Sequence, residues 1–578
     1  MILITTALEE IFPKDTDKKV LFLGEWCKLY SKKDFYEQYN YEVLLYHWDD
    51  RNKLHNDTKY IDIIYEKYLI ELKDNLNNIH KLDFSIEYWR IVVGPWLRYF
   101  IEMVYDRYLS IEKASKEDID YVYSVNIKDE LIVPNNMKDF SSIYIGDLWN
   151  QYIYQNIIEY FDIKVKKINF ILPNNIFKDN KKVSIKEKLI DSFFFVNKLN
   201  KIHFFSSYIR LKNKIKLQLS LNQMPTIGNN VNIKLDIKYS NNLRDKLIFS
   251  KNNSLFEDIL ETLIKKQIPK YYLEGYSKFR KKVLKEYPKK AKIIFTANAY
   301  SSDDMFKFWV AEKKEEGSKY IIGQHGGHYG MGLFASHEKH HIKSSDKFFS
   351  WGWTLDNSKK VIPVSAIKLK RKIGYNKNGN ILIPTLKVPR YSYHIYSIPI
   401  AGQLLNYINN QLDFIKLLPI TIKKDIKFRT FENDYGWDIQ NRLSDCIDYQ
   451  IVDTQENLNK SFYKRLSECR LCISTYNATT YLETFSANYP TLLYWDSNYF
   501  ELREEATKYF KLLEDVGILH HTAESLAKKV NEIYKDPLSW WHQDEIQKAK
   551  DYFCTRFANI QTDFIEDYNN EIEKLIES

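Results

Sequence analysis

Two stretches of this chain carry residue types that could do chemistry. The first, residues 319–330, reads KYIIGQHGGHYG: a short apolar run broken by Gly323, Gly326, Gly327 and Gly330, interleaved with Gln324, His325, His328 and Tyr329. A buried parallel strand that runs into such a loop places glycines where backbone can approach a ligand, and successive N–H groups there can form an anion nest. His325 fits either role in such a loop, because neutral imidazole accepts a proton and its charged form stabilises an anion. The second stretch, residues 473–496, reads ISTYNATTYLETFSANYPTLLYWD. A strand ends at Ser474 and Thr475, small polar residues follow, a helix starts near Thr479, and Glu483 lies about one turn along it. Hydroxyls and free N–H groups at a positive helix end suit a phosphate, and a carboxylate one turn on can reach ribose hydroxyls. Each stretch also has an ordinary structural reading, a strand-ending turn and a helix cap, so neither decides function alone.

Further acids, bases and cations stand at strand ends. Glu25 follows the run VLFLG, and its neighbour Trp26 could shield it and raise its pKa, which makes it a second candidate for the catalytic base. Asp49 and Asp50 end the third run, but paired acids beside Arg51 more often form an ion cluster. His337, His340 and His341 with Glu338 make a dense group in which positions four apart would share a helix face. No clear carboxylate or thiolate completes a metal site, so cleft lining or a solvated face is the reading. Lys387 and Arg390 suit an anionic ligand or plain surface charge equally.

The elements that must hold these groups alternate as strand and helix. ILITT, VLFLGEW and EVLLYHW are each followed by polar segments, and AKIIFTANA, KYIIGQ, KFFSWGW, NILIPTL, IKFRTF, DYQIVD, RLCIST and PTLLYW repeat the pattern. Residues 55–120 read as helical with a break at Gly94-Pro95. Residues 150–290 are less regular, with an apolar run at 192–196. The fold class is α/β, two Rossmann-like domains facing a cleft, with additional helices. The expected bounds are 1–370 for an acceptor-side domain with helical insertions, 371–545 for a nucleotide-donor domain, and 546–578 for a helical segment that could cross back.

Composition narrows the function classes. A chain of 578 residues with 44% hydrophobic and 28% charged residues is globular and exceeds one core. The net charge of +9 is spread in lysine-rich patches among acids, which suits anionic small molecules better than a nucleic-acid arm. A non-catalytic polyanion binder would instead interleave basic and exposed aromatic residues along one face. Five scattered cysteines, including a lone CxxC at Cys469 and Cys472, point to a reducing compartment rather than a disulfide framework or metal site. The first residues read as a strand rather than a signal peptide, and the most apolar stretch, 88–105, carries Arg90, Arg98 and Glu102. A cytoplasmic location is expected, with contact at the inner membrane face left open.

GQHGGHYG followed by STYNATTYLET, with LFLGEWC and YHWDDR near the start, resembles the transferase family of bacterial O-antigen and surface-polysaccharide gene clusters. More distantly it is similar to capsule-polysaccharide glycosyltransferases and CDP-glycerol glycerophosphotransferases. That resemblance implies the GT-B arrangement, no cofactor and no bound metal. Its implied ligands are a nucleotide-sugar donor, with a CMP-linked acidic sugar favoured, and a glycan or lipid-linked glycan acceptor. By the same resemblance Ser474, Thr475, Asn477, Thr479 and Thr480 would hold the donor phosphate together with Gly326 and Gly327, Glu483 the ribose, and Arg429 would face the phosphates. Residues 430–437, TFENDYGW, stand where the glycerophosphotransferases tend to have RPHP, which weakens the CDP-alditol alternative.

Overall fold

A computed structural model describes residues 1–173, 176–177, 198–226, 233–252, 254–369, 372–447, 450–560 and 564–577. The strands form three five-stranded sheets, and every pairing is parallel. Sheet one holds β1 (Ile2–Ile4), β2 (Val20–Phe22), β3 (Tyr41–Val43), β4 (Tyr121–Val125) and β5 (Val165–Ile168) in the order β3-β2-β1-β4-β5. Sheet two holds β6 (Ile202–Phe205), β7 (Ile293–Thr296), β8 (Lys319–Gly323), β9 (Lys347–Ser350) and β10 (Val361–Pro363), ordered β10-β9-β8-β7-β6. Sheet three holds β11 (Asn380–Pro384), β12 (Ile426–Arg429), β13 (Cys469–Ser474), β14 (Thr491–Tyr494) and β15 (Leu519–His520), ordered β12-β11-β13-β14-β15.

The central strands are continuous apolar runs because helices cover both faces of a parallel sheet. β1, β7 and β14 are buried at every position, whereas the edge strand β5, VKKI, is exposed at its first three residues and carries lysines. Residues 1–370 contain two of the three sheets, and β4, β5 and β6, which lack long apolar runs, are the strands there that the sequence pattern leaves out. The expected strand DYQIVD contributes only an isolated bridge, Phe428 to Val452, among the described residues. The apolar run 192–196 and the boundary at 370–371 lie outside the described residues.

The sheets are joined by helices. Asp50 caps α1 (Arg51–His80) by accepting from the N–H groups of Asn52 and Lys53, and α2 (Ile86–Val92) follows. Pro95 opens α3 (Gly94–Ala114), where its missing N–H costs nothing. This helix is buried on nearly all sides and touches all three units. Asp106 accepts from Tyr46 Oη at 2.5 Å after sheet one, Glu102 accepts from Ser336 Oγ at 3.4 Å after sheet two, and Arg107 donates to Ser392 O at 2.5 Å after β11. Later helices are α4 (Asp147–Ile158), α5 (Asp304–Glu315), α6 (Ser336–Ser344), α7 (Leu404–Leu417), α8 (Thr479–Ser486), α9 (Asp544–Phe557) and α10 (Phe564–Glu577). The last returns to sheet two, where Tyr568 packs against Phe295 and Phe349.

Candidate functional site

β8 delivers its loop to the start of α8, at the carboxyl end of β13. The Gly327 N–H donates to Thr479 Oγ1 at 2.8 Å. A Cβ on Gly327 would lie 2.3 Å from the carbonyl carbon of Ala478, so only glycine permits this approach. Gln324 braces the loop: its Oε1 accepts from Trp351 N at 2.9 Å and Trp353 Nε1 at 2.8 Å, while its Nε2 donates to Gly326 O at 2.8 Å. The strand order of sheet three reverses between β11 and β13, and such a switch point opens a crevice at the strand carboxyl ends. The two chemically suggestive loops thus meet beside that crevice.

The start of α8 has the form of an anion seat. Its N-cap residue is Ala478, which has no side chain to cap the first-turn N–H groups. Thr479 and Thr480 are half-buried there, and Thr480 Oγ1 bonds to Tyr476 Oη at 2.7 Å. Lys368, in the lysine-rich connector between β10 and β11, donates through Nζ to His325 O at 2.8 Å. It also acts electrostatically on Glu483, whose pKa burial raises while the Tyr463 hydroxyl and the Lys368 cation oppose that rise. His325 and Glu483 therefore flank one cation.

His325 is half-buried, with Nδ1 3.4 Å from Tyr300 Oη and 3.3 Å from Tyr329 Oη. Its Nε2 has no hydrogen-bond partner among the described residues. Desolvation, reinforced by Lys368, lowers the imidazole to about 4, so it is neutral near pH 7.

Several expected ligands are engaged elsewhere. Ser474 and Thr475 are fully buried; Thr475 donates to Pro384 O at 3.0 Å and bonds Tyr407 Oη at 2.6 Å, so it pins β13 to β11 and is not open to a phosphate. Asn477 turns its Oδ1 to Tyr481 Oη at 2.8 Å. Arg429 donates to the carbonyls of Asn457, Leu458 and Lys460 at 2.9, 3.2 and 2.7 Å, which closes the end of the helix Gln455–Asn459. Glu25 pairs with Lys28 at 2.9 Å and packs against Gly402, in a seam between sheets one and three. The indole of its neighbour Trp26 is buried and donates to Thr5 O at 3.2 Å. Arg390 is neither a ligand for a donor nor a surface charge: it is buried against Asp147 at 2.7 Å. Asp49 accepts from Gln403 at 3.0 Å, and Arg51 pairs with Glu501 at 2.6 Å rather than with the neighbouring aspartates.

Sequence reasoning named Gln324 and Tyr329 only as members of the glycine loop and gave no site role to Lys368 or Tyr300. Lys368 had one signal, its place in a lysine-rich patch; Tyr300 had none, because this chain contains 44 tyrosines. Among the described residues no group of three or more His, Cys, Asp or Glu is arranged to hold a metal ion, and Glu338 accepts from Gly330 N at 2.7 Å and pairs with Arg503 at 2.8 Å.

Fold and site together define an α/β protein whose candidate site lies at strand carboxyl ends. The chain belongs to the LIC12162 family of transferases, whose family model matches residues 1–572. No curated protein matches it. Ten chains of solved structures do. One is MurG of Acinetobacter baumannii, 11% identical over 64% of this chain and 99% of that one, with a TM-score of 0.32, a likeness too slight to bear on fold or chemistry. No described helix is long and apolar enough to cross a membrane.

Proposed function

We propose that this transferase is a glycosyltransferase of GT-B type that moves a sugar from a nucleotide donor to a hydroxyl of a surface glycan or lipid-linked glycan. The observation that carries the reading is the contact of Gly327 with Thr479, which brings a glycine loop, an uncapped helix start, Lys368 and His325 to one place. The donor phosphate would lie against the first-turn N–H groups of α8 and Gly326, with Lys368 offsetting its charge and Glu483 reaching the ribose. His325 Nε2 would take the acceptor proton. An anionic donor beside it opposes the desolvation that keeps the ring neutral, so donor binding raises its basicity when a base is needed. Closure of the facing units would exclude water that otherwise hydrolyses the donor. A CMP-linked acidic sugar is the favoured donor, and transfer would take place in the cytoplasm.

Thermal unfolding with CMP, CDP, UDP, GDP and dTDP tests this, since a ligand of the native state raises its melting temperature. At least one should do so; a folded protein that none of them stabilises would refute the donor site.

A further inference from the structure

Beyond His325, between sheet two, α3 and the chain after β11, imidazoles and phenols gather in one cluster. The His337 ring lies 5.1 Å from His394 and 5.9 Å from His341, His341 lies 6.4 Å from His325, and Tyr396 lies 4.1 Å from His394. His337, Tyr393, His394 and Tyr396 keep accessible surface, yet desolvation pushes His337 down to about 3 and His394 well below its ordinary value. Groups that are both deep and accessible line a crevice instead of filling a core.

Three buried nitrogens in this group, His337 Nε2, His341 Nε2 and His394 Nδ1, have no hydrogen-bond partner among the described residues. His394 makes no hydrogen bond through either nitrogen with any described residue. An unmatched buried polar group costs about 1–3 kcal/mol, and native interiors hold few of them. Several in one place mark a surface completed by something the polypeptide does not supply.

The chemistry of the walls limits what that is. Neutral imidazoles and phenols both donate and accept, carry no net charge, and present flat faces. A sugar hydroxyl also donates and accepts, and a sugar ring has apolar faces for aromatic contact. An anion would find fewer partners here than beside Lys368 and α8.

We propose that this arm is the acceptor subsite, in which His337 and His394 hydrogen-bond the hydroxyls of an uncharged sugar ring and seat it toward His325 Nε2. The assignment rests on the transferase reading and adds to it the class of acceptor. Phosphate and sugar recognition are thereby divided between the two arms, with His325 where they join.

The chain has 13 histidines, few enough for long-range proton–nitrogen spectra of labelled imidazoles. His337→Ala and His394→Ala identify two of the signals. Methyl glucoside, methyl galactoside, methyl mannoside and N-acetylglucosamine would be titrated to about 100 mM, with inorganic phosphate as a separate arm. At least one glycoside should shift the His337 and His394 signals saturably, and in His394→Ala the His337 response should weaken at least threefold. If no glycoside moves either signal, or only phosphate does, the subsite is refuted. The two proposals fail separately. Nucleotide stabilisation without a glycoside response removes the acceptor subsite alone; a glycoside response without nucleotide stabilisation removes the donor site alone.

Discussion

Gly327 donates its backbone N–H to the hydroxyl of Thr479 at 2.8 Å, although 152 residues separate them along the chain. The bond joins the end of a strand in sheet two to the first turn of a helix in sheet three. The candidate site is therefore a property of how two sheets dock, and substitutions that disturb the docking should disturb binding.

Gly327→Ala places a methyl group 2.3 Å from the Ala478 carbonyl carbon. One loop must retreat, at a cost of about 1–3 kcal/mol, typical of overpacking. Urea unfolding should show that loss, and nucleotide stabilisation should fall with it. Unchanged stability together with unchanged nucleotide response would show that the seam does not matter.

Lys368→Met removes the cation that lowers the His325 pKa and opposes the rise at Glu483. The His325 pKa should move up from about 4, staying below 6.5 because desolvation remains, and Glu483 should become still harder to ionise. Imidazole and carboxyl titration by magnetic resonance reads both. A His325 pKa that stays fixed or falls would contradict the pairing.

His325→Ala and Glu483→Ala should each abolish transfer, the first by at least about a hundredfold if it removes a general base. Circular dichroism and the melting temperature should stay near wild type, since His325 makes only two long side-chain hydrogen bonds. Wild-type turnover in either variant would remove that residue from the mechanism.

Acid should destabilise the fold in a defined window. His203 and His328 titrate at about 4 in the folded protein because burial disfavours the imidazolium, against an ordinary value of 6.5. Between those values the unfolded chain binds more protons, so stability is lost as pH falls from 6.5 toward 4. Urea midpoints measured at half-unit steps should decline across that interval; a flat profile would mean that these rings protonate without unfolding.

The residues explain why some of this was legible in the sequence and some was not. IIFT, KYIIG and TLLY announce themselves because both faces of a central parallel strand are buried, so apolar residues run consecutively through their middles. β5 is legible only after the fact, since an edge strand can be VKKI. Arg429 and Arg390 look alike in sequence, each closing a strand or following one. The first closes a helix end, and the second pairs with Asp147, which is 243 residues away in sequence. Partners set their roles, and partners that distant leave no local pattern. Lys368 is similar: its connector reads as a solvated linker until the docking of two sheets brings it against His325.

The most direct test is a crystal structure with the nucleotide that stabilises the protein best. The account predicts its phosphate between Gly326 and the first turn of α8, within hydrogen-bond reach of Lys368, with the ribose against Glu483. A nucleotide bound anywhere else, with the Gly327–Thr479 seam closed and empty, would contradict it.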